Sequence, residues 1–143
     1  MRLLHTNELY LKDFIGDKVP PYVVLSHTWG DEEITLDEIK SGTASLRKSY
    51  DKLRGACTQA TRDGFEWLWI DTCCIDKNSS SDLQESINSM FQWYKGAHAC
   101  FAYLADVPDR PAGWGHAFEL SRWWTRGWTL RKYRLKAPIF IDS

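Results

Sequence analysis

The chain has 143 residues, enough for one domain whose core needs no disulfide or metal staple. Eighteen Lys and Arg against 19 Asp and Glu leave a net charge of −1, so there is no general attraction to nucleic acid or to an anionic membrane. No apolar run approaches the ~18 residues a membrane span requires, and Met1 to Tyr10 lacks the apolar stretch of a secretory signal.

Arg2-Leu3-Leu4 and Leu9-Tyr10-Leu11 flank Thr6-Asn7, a pattern that predicts a short N-terminal β-hairpin at a sheet edge. After a loop closed by Pro20-Pro21, Tyr22-Val23-Val24-Leu25-Ser26 reads as a strand buried on both faces, and His27-Thr28-Trp29-Gly30-Asp31 falls at its carboxyl end. Ile34 to Ile39 suits a short helix or turn, broken by Gly42. Leu46, Tyr50, Leu53, Cys57 and Ala60 then recur at steps of four and three, the stripe of an amphipathic helix that Asp63-Gly64 would end.

Trp67-Leu68-Trp69-Ile70-Asp71 is a second buried strand, and Asp71 and Asp76 follow where it gives way to a loop. It is expected at the centre of the sheet, between Tyr22–Ser26 and Ala99–Leu104. Ser81 with Gln84 resembles a capping box. It would open a helix whose residues Leu83, Ile87, Met90, Phe91 and Tyr94 line one face, most simply a core face. Ala99 to Leu104 is a third buried strand, His116 to Ser121 one turn of helix, and Ile139-Phe140-Ile141 a last short strand. Strand and helix alternate, so the expected fold is α/β with a mainly parallel sheet flanked by helices. Ligands of such sheets bind beyond the carboxyl ends of the strands.

Cys57, Cys73, Cys74 and Cys100 form no C-x-x-C pair and lie in apolar segments, which fits reduced core cysteines of a cytoplasmic protein. Arg122, Arg126, Arg131, Lys132, Arg134 and Lys136 interleave with Trp123, Trp124, Trp128 and Tyr133. That is the composition of a single-stranded nucleic-acid or phosphate surface, against the simpler reading of a solvated face with tryptophans packed on the core. Two aspartates without a third ligand in reach do not make a metal site. Asp71 and Asp76 read as ribose or cation contacts, or else as a turn cap and an acceptor for loop amides. Adjacent Ser26 and His27 point apart on a strand end and lack the G-x-S-x-G elbow of a hydrolase.

Three blocks resemble the motif blocks of the fungal heterokaryon-incompatibility (HET) domain. They are Tyr22 to Asp31, Trp69 to Lys77 with the helix Leu83 to Tyr94, and Ser121-Arg122-Trp123-Trp124-Thr125-Arg126-Gly127-Trp128-Thr129-Leu130. Their order and spacing match too, over roughly residues 1 to 130. The resemblance implies one HET domain over residues 1–143, divergent or shortened after residue 130. It also implies a cytoplasmic role in fungal non-self recognition linked to programmed cell death, acting through self-association or protein partners, with neither membrane nor nucleic acid expected.

HET domains are distantly similar to Toll/interleukin-receptor (TIR) domains, which implies a flavodoxin-like core. Some TIR domains cleave NAD with a glutamate four residues after a tryptophan. Here the third block does not continue as Gln-Glu-Leu, and the position four after Trp128 is Lys132, whose charge has the wrong sign for stabilising an oxocarbenium ion. Glu85, which also suits the helix dipole, and Glu119 are the candidate substitutes for that glutamate. With NAD as a substrate, the expected ligand-binding set is Ser26, His27, Trp29, Asp71, Asp76 and Trp128.

Overall fold

The computed structural model describes residues 1–107, 114–125 and 139–141. Among the described residues six strands form one sheet: β1 (Arg2–His5), β2 (Leu11–Asp13), β3 (Val23–His27), β4 (Trp67–Trp69), β5 (Ala99–Tyr103) and β6 (Ile139–Ile141). Their spatial order is β2-β1-β4-β3-β5-β6. The helices are α1 (Leu36–Ser41), α2 (Tyr50–Arg62), α3 (Ser80–Gly96) and α4 (Trp114–Leu120).

The fold is α/β, but the sheet is mixed. β3 pairs parallel with both β4 and β5, and β5 with β6, whereas β1 runs antiparallel to β2 and to β4. The N-terminal hairpin therefore extends the sheet, with β2 as its edge strand. This also corrects the expected neighbours of the Trp67 strand, which lies between β1 and β3 while β5 pairs on the far side of β3. A hairpin strand can satisfy the free edge of β4 as well as a parallel strand can, and residue types do not distinguish the two.

β3 and β4 are buried throughout, as their unbroken apolar runs require. The crossover from β3 through α2 leads outward to β4, and the crossover through α3 leads back over β3 to β5. Right-handed connections then put α2 and α3 on opposite faces. Leu53, Ala56, Cys57 and Ala60 of α2 are buried, and Gly64 beyond its end takes the left-handed conformation, φ +83°. Leu46 does not join that stripe. It sits in a 3-10 turn before the helix and is 80% exposed.

α3 departs further from expectation. Its N-cap is Ser79, whose side chain accepts from the Asp82 amide, so the helix starts before Ser81. Its buried residues are Ser86 and Tyr94, with Met90 and Trp93 packed on the core and the Trp69 ring 5.6 Å from Tyr94. Leu83, Ile87 and Phe91 face water instead. Short α1 is held by a capping box of Thr35 and Glu38 and ended by Gly42 at φ +72°. All four cysteines are buried. Among the described residues no helix is long and apolar enough to cross a membrane.

Candidate functional site

The residues that converge lie at the carboxyl end of β3. His27 ends that strand, and alternation turns Ser26 and His27 to opposite faces. Ser26 points into a small apolar cluster, where its hydroxyl and carbonyl accept from the Trp123 indole N–H at 3.2 and 3.3 Å. His27 points the other way, towards Asp71 and Lys52. Parallel pairing of Val24 with Trp69 carries Asp71, two residues past Trp69, to the level where β3 ends.

Asp71 accepts from His27 Nε2 at 3.0 Å and from the Trp29 indole N–H at 3.1 and 3.3 Å. Lys52 Nζ lies 3.0 Å from His27 Nδ1 and 2.5 Å from Glu33 Oε1. Glu33 Oε1 also accepts from the Gly30 amide at 2.6 Å, which closes the loop after β3. Donors and acceptors assign the imidazole. A carboxylate can only accept and an ammonium only donate, so the ring proton sits on Nε2 and Nδ1 receives a hydrogen bond from Lys52. The result is one chain of alternating partners, Asp71–His27–Lys52–Glu33. His27 is buried within it, and Lys52 and Glu33 are nearly so.

This chain backs a cleft of about 400 Å³ between the loops that follow β3 and β5, lined by Trp29, Glu33, Lys52, Tyr103 and Arg122 among others. Trp29 is half exposed, and Lys77 Nζ lies 3.9 Å from its ring centre. Lys52 Nζ is also 5.7 Å from the centre of the Tyr103 ring. The cleft thus offers two aromatic faces, several cations on its wall and rim, and carboxylates. Asp71 is not among the residues that line it, and reaches the cleft through the Trp29 ring it holds.

The other expected site residues are dispersed. Asp76 Oδ1 accepts from the Asn78 amide at 2.9 Å, a local Asx turn. Glu85 is exposed in α3 and borders a separate groove of about 570 Å³ with Phe14, Tyr22 and Trp93. Glu119 is exposed on α4. Trp128 and Lys132 lie outside the described residues, as do Arg126, Arg131, Arg134 and Lys136.

Sequence reading missed Glu33, Lys52 and Tyr103. One signal could have found Lys52: a helix that follows a parallel strand starts at that strand's carboxyl end, so its first turn faces the crevice. Asp106 fixes the neighbouring segment. Burial pushes its carboxyl up, but hydrogen bonds from the Ser121 hydroxyl (2.6 Å) and the Arg122 amide (2.8 Å) outweigh this and hold it below the usual aspartate value.

Comparison with known proteins matches these elements to one family. The family model described as Heterokaryon incompatibility protein (HET) matches residues 22–117, which include both β3 and Asp71. Vegetative incompatibility protein HET-E-1 of Podospora anserina is 46% identical over 139 residues, covering 92% of this chain and 10% of that protein. Heterokaryon incompatibility protein 6, OR allele, of Neurospora crassa is 25% identical over 119 residues, covering 73% of this chain and 18% of that protein. The chain therefore spans a tenth to a fifth of the length of these relatives. No solved structure matches it. With the family match running over most of the chain and nearly half of its residues shared with one incompatibility protein, this chain belongs to the heterokaryon-incompatibility (HET) family.

Proposed function

We propose that this chain is the cytoplasmic signalling module of a fungal non-self recognition protein, that it works by assembling with itself or with partner proteins, and that its activation leads to cell death. Membership of the HET family is the observation that carries this reading. Sensing of the foreign partner, on this view, belongs to other parts of such proteins.

The parallel strands support a finer reading. Taken in chain order as β3, β4, β5 and β6, they stand in the spatial order second, first, third, fourth. A flavodoxin-like sheet begins in that order and binds its ligand at the crevice between its first and third strands. The cleft lined by Trp29, Lys52 and Tyr103 lies at the corresponding point. Its aromatic faces suit a base, and its cations Lys48, Lys52 and Arg122 would exchange their carboxylate partners Glu32, Glu33 and Asp106 for phosphates, so a nucleotide such as NAD is the ligand this reading favours.

That cleft also favours a second reading, NAD glycohydrolase activity. Glu33 then takes the part of the missing glutamate carboxylate, because it lines the cleft whereas Glu85 and Glu119 do not. Expression of the chain in a fungal host tests the first reading: wild type should kill, and Asp71→Ala should not while remaining folded by thermal melting. Survival of wild-type expressers would refute it. Nicotinamide release from NAD by purified protein, lost in Glu33→Gln, would support the second reading, and no release by wild type would end it.

A further inference from the structure

Three large apolar side chains on α3 stand in water: Leu83, Ile87 and Phe91, exposed 37%, 47% and 56%. They recur every four residues, so each sits about 40° round the helix from the last and the stripe is about 12 Å long. α3 does not need them to hold the sheet, because Ser86, Met90, Trp93 and Tyr94 do that from an adjoining face. Single exposed apolar residues are ordinary, but a continuous stripe on successive turns marks a contact surface.

The charges around the stripe indicate what covers it. Ser80, Gln84 and Asn88 follow its outer side at the same four-residue spacing, and none is charged. Gln84 instead donates to Asn88 at 3.4 Å. A two-fold contact sets every residue near the axis opposite its own image, so any charge there would face a like charge. A neutral strip is what self-contact requires, whereas a differently built partner would leave the strip free to carry charge.

We propose that the occupant is a second copy of this chain, with α3 packed antiparallel on α3 about a two-fold axis near Ile87 and Leu83 meeting Phe91 of the other copy. The small side chain then faces the large one, and the helix dipoles oppose. One helix face with three anchors falls well short of the ~800 Å² per partner of a standard interface. The contact is therefore weak by itself, at or above the micromolar end of protein affinities. Gathering copies within larger proteins raises the effective concentration towards about 1 mM and closes it. Its use in signalling rests on the reading proposed above, but the contact itself does not.

Sedimentation velocity over a concentration series tests this on the 143-residue chain, with Ile87→Lys, Ile87→Glu and their equimolar mixture. Wild type should associate as concentration rises, and each variant alone should remain monomeric at every concentration. The mixture should associate at least several-fold more tightly than either variant alone, because lysine and glutamate would meet across the axis. Thermal melts should match wild type, which separates lost contact from lost fold. A wild type monomeric to about 1 mM, the effective concentration invoked, would overturn the proposal. So would association that survives Ile87→Lys, or a mixture no better than its components. A wild type that associates but does not kill in the fungal host sinks the signalling reading and leaves this contact standing.

Discussion

Asp71 is the residue on which the site's shape depends. One carboxylate fixes the His27 ring from β3 and the Trp29 ring from the following loop, so two side chains two positions apart take their places from a residue just past the end of β4. His27 passes the constraint on, because its other nitrogen meets Lys52, which in turn holds Glu33. Deleting either partner leaves the other poorly solvated, a cost of about 1–3 kcal/mol. His27→Ala and Asp71→Ala should therefore each destabilise the protein, and the pair should destabilise by less than their sum. A double-mutant cycle read by urea denaturation should give a coupling of about 1–2 kcal/mol, within the range for residues in one hydrogen-bond network. Coupling below about 0.3 kcal/mol, the level expected of independent sites, would mean that Asp71 and His27 act separately. The sequence made His27, Trp29 and Asp71 legible because strand ends can be read from apolar runs. It left Glu33 and Lys52 unread because their role depends on how a loop folds back and how a helix is rotated, and local pattern encodes neither.

Among the elements, α3 shows most clearly what periodicity can and cannot say. Its apolar arc is wider than the area the sheet covers, so pattern alone places Leu83, Ile87 and Phe91 in the core when they lie on its open side. The start of the helix was similarly ambiguous, since Ser79, Ser80 and Ser81 are equivalent by composition. The geometry distinguishes them: the Ser79 hydroxyl accepts from the Asp82 amide at 3.3 Å, and the Ser81 hydroxyl pairs with that of Ser79 at 3.1 Å. Ser79→Ala should cost about 1 kcal/mol, the usual value of an N-cap. Ser81→Ala should stay within about 0.5 kcal/mol, as for an exposed surface change. Equal losses in the two urea midpoints would show that the cap is shared.

At the scale of the whole molecule, α/β alternation and all four parallel strands follow from apolar runs, the last being Ile139–Ile141, and the sheet order does not. Order is set by which edges remain free once the crossovers are made, and the antiparallel hairpin takes the edge of β4 that a parallel strand might have filled. The same packing places all four thiols inside, and this has a consequence at alkaline pH. Burial pushes the Cys57 thiol up to about 12 and, with a hydrogen bond to Cys74 as the leading cause, the Cys73 thiol also rises well above its ordinary value. Both groups are neutral when protonated, so the folded state keeps protons that the unfolded chain releases from about pH 8.5 upward. The folded form then binds more protons than the unfolded one, and stability must fall as pH rises through that window. For Cys57 the decline runs from about pH 8.5 until its folded thiol ionises near 12, at a slope of about 1.4 kcal/mol per pH unit for each such group. Cys57→Ala should therefore be less stable at pH 7, having lost core volume, yet lose stability less steeply between pH 9 and 11, by about 1.4 kcal/mol per unit. Urea titrations of both proteins at several pH values measure the two slopes directly. Parallel slopes would mean that the Cys57 thiolate is tolerated in the core, and native protein should then also react with a thiol reagent without prior unfolding.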